Sequence, residues 1–141
     1  MCKKPFAITL FMTVFIVCLT LASCKKDNTD NSNSIVGKWK MTGYIHYDVD
    51  VYGTAVPTCV TDDIIAFSNT GILTGDEGPT KCSPTDPQTI AGTYSINSNR
   101  TQLTITINGE SSTDSILTLN STTLKLKQLS NNDLVTYARQ P

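Results

Sequence analysis

The sequence predicts an all-β domain, an eight-stranded up-and-down antiparallel barrel that follows a cleaved signal peptide. Apolar and polar residues alternate from Trp39 onward, as in a half-buried strand, and short alternating stretches follow between clusters of Asn, Gly and Ser. No stretch repeats convincingly every 3.6 residues. A meander of this length most simply closes on itself, which removes exposed edges. A two-sheet sandwich is the alternative, but it usually needs crossovers and longer connections.

Residues 1–23 have the layout of a signal peptide. Lys3 and Lys4 form a basic tip, an apolar run covers residues 6–21, and the small residues Ala22 and Ser23 precede the expected cut. A membrane-spanning helix needs about 20 mostly apolar residues. This run is slightly shorter and contains three threonines. Cleavage is therefore favoured over an uncleaved anchor helix.

The stretch Leu21-Ala22-Ser23-Cys24 resembles the lipobox of bacterial lipoproteins. The resemblance implies that Cys24 becomes the first residue of the mature chain, carries a diacylglycerol thioether and is acylated at its amino group. Each buried CH2 contributes about 0.8 kcal/mol, so two or three acyl chains hold a protein firmly to a bilayer. The expected location is the bacterial cell envelope, lipid-anchored at the outer membrane.

Residues 24–34 comprise the lipidated Cys24 and a tether, because residues 25–34 contain no apolar side chain. Residues 35–141 then form the barrel domain, long enough for one modest core. Removing Lys3 and Lys4 lowers Lys plus Arg from 11 to 9 against 12 acids, a formal net charge of −3. With no basic patch, nucleic acid is excluded as a partner.

The first strand is predicted over residues 38–51, with its odd positions facing the core and a bend at Gly43. The other seven strands are predicted over residues 62–68, 71–74, 90–96, 102–107, 110–119, 122–129 and 134–139. The Asn108-Gly109 pair between two of them is the strongest hairpin signal in the chain.

Gly37-Lys38-Trp39 resembles the Gly-X-Trp signature of lipocalins, and the domain is similar to short lipocalin-like lipoproteins of Bacteroidetes-type bacteria. Further motifs occur in the order expected for that group: Cys59, Asp62-Asp63, Phe67, Asn69-Thr70-Gly71, Cys82 and Gly92-Thr93-Tyr94. Tyr94 replaces the expected Trp. The resemblance implies that Arg139 packs across Trp39 and closes one end of the barrel, a contact worth about 0.5–2 kcal/mol. The short chain gives no reason to expect a roomy ligand cavity.

The predicted barrel interior consists of the large apolar residues on the inward parity of each strand. These are Trp39, Met41, Ile45, Tyr47, Phe67, Tyr94, Ile96, Leu103, Ile105, Leu117, Leu124, Leu126 and Tyr137.

Cys59 and Cys82 are the only thiols after Cys24, and an even pair in an exported domain is most simply a disulfide. A metal site would need more soft ligands, and His46 is the only histidine. No metal and no cofactor are therefore predicted.

Other chemistry-bearing residues have simpler interpretations. His46, Asp48 and Asp50 share one parity and could be imagined as metal ligands, but the solvated face of a strand explains them as well. The pairs Asp62-Asp63 and Asp76-Glu77 do not match a calcium loop and are expected to be surface or turn acids. No Gly-x-Ser-x-Gly elbow presents a serine, so the protein is predicted not to be an enzyme.

Two functions follow. The first is a lipid-anchored lipocalin-like protein that binds a small hydrophobic ligand in the barrel or at its mouth. The alternative is an envelope interaction module, an inhibitor or accessory subunit, whose barrel is filled by its own side chains. The predicted interior residues are mostly large, which counts against a ligand inside so short a barrel. The sequence identifies no protein partner.

Overall fold

The computed structural model describes residues 33–141, which form a closed antiparallel barrel. The predicted signal peptide, Cys24 and most of the tether lie outside the described residues. The strands are β1 (Gly37–His46), β2 (Val49–Asp50), β3 (Ile64–Phe67), β4 (Ile72–Asp76), β5 (Thr89–Ile96), β6 (Gln102–Ile107), β7 (Glu110–Leu119), β8 (Thr123–Gln128) and β9 (Leu134–Gln140). One short helix, α1, spans Thr58–Thr61. No described helix is long and apolar enough to cross a bilayer.

Eight of these strands form the barrel, and the fold class predicted from the sequence is confirmed. Each strand pairs with its neighbour in chain order from β3 to β9, and β1 pairs with both β3 and β9 to close the ring. The two-residue strand β2 only folds back on the end of β1. Closure leaves few unpaired backbone groups at sheet edges.

The first strand ends earlier than predicted because the chain reverses at Tyr47 and Asp48. Both residues have positive φ, 47° and 64°, as in the type I′ turns that connect tight hairpins. Tyr47 therefore lies at a hairpin tip and is 76% exposed, so its predicted place in the barrel interior is wrong. The predicted Asn108-Gly109 turn has the same character, with φ values of 53° and 86°.

A β-bulge in β1 reverses the inward and outward parity of its second half. Met41 is opposite Tyr137, but after the shift Tyr44 is opposite Val135 and Ile45 is opposite Leu134. Since directly paired residues share a face, Tyr44 points inward with Val135, and Ile45 points outward. The predicted inward position of Ile45 is therefore wrong, because a single extra residue moves all later side chains to the other face.

A second bulge in β7 has the same consequence for Leu117. Ile116 is opposite the buried Leu126, and Leu119 is opposite the buried Leu124. The register shifts between Ile116 and Thr118, so Leu117 has no partner on β8 and turns outward. Leu117 is 51% exposed, and its predicted interior position is wrong. Ile116 and Leu119 pack against the core instead.

The structure places the other predicted interior residues in the barrel. Trp39, Phe67, Leu103, Leu124 and Leu126 are buried, together with residues not predicted there, Ile35 and Leu73. Tyr94, Ile96, Ile105 and Tyr137 pack against this cluster. Met41 lines a cavity at the open end.

Tyr94 is accommodated at the position where the resembled family has Trp. Its ring meets Phe67 edge-on at a centroid distance of 4.8 Å, and its hydroxyl donates a 2.5 Å hydrogen bond to the Ser68 carbonyl. The tyrosine thus keeps an aromatic contact and satisfies its polar end.

The closed end of the barrel is built around Trp39, which has 0% exposure. Its Nε1 donates to the Ile35 carbonyl at 2.7 Å, and the Arg139 guanidinium carbon lies 4.2 Å from its ring centroid. This is the contact that the lipocalin resemblance implies. A cation over an indole face is stabilising, most strongly where water is excluded.

The same guanidinium joins three chain segments. Arg139 donates through Nη1 to the Val36 carbonyl at 2.6 Å, through Nε to the Ser121 carbonyl at 2.7 Å, and through Nη2 to the Ser34 carbonyl. Gly37 makes this possible, because a Cβ there would lie 2.2 Å from Nη1, and its φ of +138° disfavours other residues.

We expect Arg139→Ala to lower the free energy of unfolding by about 2–4 kcal/mol, because it removes three charge-assisted hydrogen bonds and the indole contact. Chemical denaturation followed by Trp39 fluorescence measures this loss. Lys125→Ala is the matched control, since Lys125 lies on the outward face opposite Thr136. Equal stability of the two variants would contradict the structural role of Arg139.

Candidate functional site

The open end of the barrel contains a cavity of about 220 Å³, here called the mouth cavity. Its apolar lining is Met41, Val60, Ile64, Ile65, Ile90 and Tyr137, with Gly75 between them. Its acidic lining is Asp63, Asp76 and Glu77. The mouth cavity is therefore an apolar depression with carboxylates on one side.

Below the mouth cavity the barrel is filled by its own side chains. The remaining space between Trp39, Phe67, Leu124 and their neighbours measures only about 40 Å³, room for no more than a few waters. A ligand of ordinary size does not fit there without repacking the core. Within the barrel interior, the mouth cavity therefore offers more room for a ligand than the lumen.

A disulfide holds one wall of the mouth cavity in place. Cys59 in α1 is bonded to Cys82 in the loop between β4 and β5, as expected from the sequence. Val60, the next residue of α1, lines the cavity. Cross-linking residues this far apart stabilises a fold by about 3 kcal/mol in the chain-entropy model.

The loop after β4 also packs directly on the chain before β3. Thr80 N donates to Asp62 Oδ2 at 3.0 Å, and a Cβ on Gly78 would lie 2.7 Å from the Asp62 carbonyl oxygen. This close approach brings Asp76 and Glu77 next to Asp63. The acids predicted as separate surface pairs therefore meet at one rim.

Asp63 is the acid that faces the cavity. It immediately precedes β3 and lines the same cavity as Ile65, two residues later. Its Oδ1 is buried and receives no hydrogen bond from any residue in the described part of the chain. Burial, and then the nearby carboxylates of Glu77, Asp62 and Asp76, raise the pKa of Asp63 to about 6.

Asp76 has the opposite environment. It accepts 2.9 Å hydrogen bonds from Gln88 Nε2 and from Gly78 N, and these bonds lower its pKa. Asp76 thus stays ionised while Asp63 takes up a proton on mild acidification. Neighbouring carboxyls whose environments push their pKa values apart are frequent at functional sites.

A second carboxylate lies deeper in the barrel. Asp114 on β7 is opposite the buried Leu103 and borders the small lumen cavity beside Tyr137. Burial raises the pKa of Asp114. Burial, followed by the charges of Asp114 and Tyr44, raises the pKa of Tyr137 to about 12. Tyr137 borders both cavities and connects them.

The lysine side chains of the strands point away from the barrel interior at the open end. Lys38, Lys40, Lys125 and Lys127 take the outward parity of their strands, and Lys81 donates to the Asp86 carbonyl in the loop. Within residues 33–141, no Lys or Arg forms an ion pair with a carboxylate. The inward-facing arginine, Arg139, is at the closed end.

The His46 side chain is 42% exposed, as expected for a solvated face, but it also belongs to a hydrogen-bonded cluster that the sequence did not reveal. Asp133 is only 1% exposed and accepts hydrogen bonds from Tyr44 Oη at 2.5 Å, His46 Nδ1 at 2.8 Å and Asn131 Nδ2 at 2.8 Å. The Tyr44 bond in particular lowers the pKa of Asp133. The cluster attaches the β8–β9 turn to the end of β1.

The described residues of this cluster do not form a set of metal ligands. Asp48, which was considered with His46, lies in the β1–β2 turn, and no three His, Cys, Asp or Glu side chains converge as metal ligands anywhere in residues 33–141.

The sequence contained a signal for part of this site. Asp63 has the same parity as Ile65 and Phe67, so alternation alone would have placed it on the inward face. Asp114 and Tyr44 were harder to place. Asp114 lies in the same strand as a bulge, and Tyr44 follows one.

Comparison with known proteins agrees with the observed architecture. The family described as lipocalin-like domain matches residues 35–126. A solved structure of a DUF4847 family protein from Bacteroides vulgatus ATCC 8482 superimposes with a TM-score of 0.51 at 14% identity, covering 74% of this chain and 94% of that one. At this identity the likeness concerns the fold alone. No curated protein matches the chain.

We expect Asp63→Asn to stabilise the fold at about pH 7.5 and to have little effect near pH 4. The wild-type carboxyl has a folded-state pKa of about 6, above its ordinary 3.8, so the wild type loses stability as pH rises through this window. Asparagine stays neutral. The gain should be roughly 1 kcal/mol after allowance for solvent screening, or roughly 5 °C in Tm.

Thermal unfolding at both pH values measures this difference, and Asp48→Asn is the control because Asp48 is an exposed turn residue. A pH-independent effect of Asp63→Asn would show that its carboxyl is not perturbed.

Proposed function

Since the chain belongs to the lipocalin-like domain family, we propose that it is a membrane-anchored protein that binds a small hydrophobic group at the mouth of its barrel. The observation that carries this proposal is the apolar mouth cavity above a filled lumen. Its volume of about 220 Å³ is below the roughly 300–1,000 Å³ of pockets that enclose drug-sized ligands. It suits a small molecule, or one end of a longer one.

The position of the chain start supports an anchored orientation. Arg139 binds the Ser34 carbonyl, and Arg100 donates to the Asn33 carbonyl, so the described chain begins at the closed end. A tether from a lipidated Cys24 would reach the barrel at this end. The mouth would then open on the opposite side, toward the aqueous compartment.

An interaction module is the second candidate, and exposed apolar residues favour it. Tyr47 and Val49 project from the β1–β2 hairpin, and Leu129 projects from the β8–β9 turn. The two turns are joined through the hydrogen bonds of Asp133. Exposed apolar side chains grouped at one end of a barrel are suited to protein contact. Neither candidate requires a chemical reaction.

We expect Ile90→Trp to weaken binding of the neutral fluorescent probe N-phenyl-1-naphthylamine by roughly tenfold, because a larger side chain at the rim fills a small cavity. Residues 25–141 are suitable for the titration, since they retain the complete closed barrel with its own core. Ile72→Trp is the matched control, on the outward face of β4.

Probe binding that is absent in the wild type, or equal in both variants, would contradict a ligand site at the mouth. Native mass spectrometry of the same protein with membrane lipid extract provides an independent measurement. A bare mass in every extract would favour the interaction module.

We expect Cys24→Ala to abolish incorporation of a labelled fatty acid and to release the protein from membranes, because Cys24 supplies the only lipid attachment proposed. Labelling of cells with an alkynyl palmitate, followed by membrane fractionation, measures both effects. Ser23→Ala is the control, since alanine is also a small residue before the cut. Lipid labelling that survives Cys24→Ala would overturn the lipobox assignment.

A further inference from the structure

We propose that the mouth cavity selects a small amphiphilic cation, an amine or quaternary ammonium group on a short alkyl or aryl body. This inference rests on the proposed function, because it names the chemical class of ligand for the same cavity. It assigns the apolar body to Met41, Ile65 and Ile90 and the charged group to Asp63, which share that cavity.

The first argument is the unsatisfied oxygen of Asp63. A buried carboxylate oxygen without a hydrogen-bond donor is unfavourable, because the protein has removed water and supplied no partner. Oδ1 of Asp63 is in this position among residues 33–141, and the residue lines the cavity. An ammonium group bound there would supply both the missing donor and the missing opposite charge.

The second argument is the sign of the charge around the cavity. Asp76 and Glu77 line the same cavity as Asp63, and Asp114 lines the lumen cavity together with Tyr137. Asp76 shares the outward face with Lys38 and Lys40, since it is opposite Ile64 and Ile64 is opposite Lys40. At Asp63 itself, the charges of Glu77, Asp62 and Asp76 all act as negative neighbours. The potential at the mouth is therefore negative, which attracts cations and repels carboxylates such as fatty acids.

The third argument is the aromatic ring in the cavity lining, Tyr137. Tyr137 lines both the mouth cavity and the lumen cavity. Tyrosine rings attract ammonium and quaternary ammonium groups through the negative face of the ring, more strongly when the contact is shielded from water. A cation held between Asp63 and Tyr137 would have an apolar lining around the rest of the molecule.

A bare metal ion fits this site less well. Three carboxylates line the cavity, but no three acidic, His or Cys side chains of the described residues converge closely enough to coordinate one ion. The apolar residues of the lining would also contribute nothing to a hydrated ion. An organic cation uses both parts of the cavity.

The test compares three ligands with the same chain length: heptylamine, 1-heptanol and heptanoate. Each displaces the neutral probe N-phenyl-1-naphthylamine from residues 25–141 at about pH 7.5, and isothermal titration provides direct affinities. We expect the amine to bind roughly tenfold more tightly than the alcohol and the carboxylate more weakly than either.

Asp63→Asn identifies the responsible carboxyl. We expect it to reduce the ratio of the amine affinity to the heptanol affinity to roughly threefold or less. Asp48→Asn, at the exposed hairpin turn, should keep the full preference. In the wild type the preference should also fall between about pH 7.5 and pH 5, because protonation of Asp63 removes its charge.

The outcomes separate the two proposals. If the probe and heptanol bind but the amine binds no more tightly, or if Asp63→Asn keeps the preference, the cation inference is wrong and the hydrophobic site stands. If neither the probe nor any of the three ligands binds, the proposed function itself is wrong and the cation inference fails with it.

Discussion

The contact between Arg139 and Trp39 is the constraint on which the closed end of the barrel depends. One guanidinium packs on the indole ring and hydrogen-bonds to carbonyls of the N-terminal segment and of the β7–β8 turn. These contacts connect the first strand, the last strand and the chain that leads into the barrel. They also account for Gly37, because a side chain there would occupy the space of Nη1. In the Gly-X-Trp motif, Trp39 fills the core and Gly37 leaves room for the Arg139 guanidinium.

With one end closed and the lumen filled, the mouth cavity offers more room for a ligand than the lumen does. The described chain begins at the closed end of the barrel, and the mouth cavity lies at the opposite end. The disulfide and the loop after β4 shape this mouth, because they hold Val60 above the cavity and bring three acids to its rim. A small barrel with a packed interior can therefore still have a cavity at its mouth.

Electrostatics gives the mouth a chemical character that its shape alone would not have. Hydrogen bonds keep Asp76 charged, whereas burial and neighbouring acids raise the pKa of Asp63. A buried carboxylate oxygen without a donor, such as Asp63 Oδ1, is costly for folding. Carboxyls with perturbed pKa values cluster at functional sites. The Asp133 cluster at the same end differs, because its hydrogen bonds from Tyr44 and His46 satisfy the buried charge.

The sequence by itself determined the barrel, since period-two alternation, the Asn108-Gly109 turn and the spacing of short strands depend only on local order along the chain. It also indicated the Cys59–Cys82 pair and, through the resemblance, the Arg139 contact with Trp39. The sequence did not determine where side chains of a strand switch between the inward and the outward face. The bulges in β1 and β7 arise from the fit of neighbouring strands around a closed ring, so only the tertiary structure decided that Tyr44 faces inward and that Ile45 and Leu117 face outward. The mouth cavity likewise depended on tertiary packing, because Asp63, Asp76 and Tyr137 come from separate segments of the chain that the closed barrel brings together.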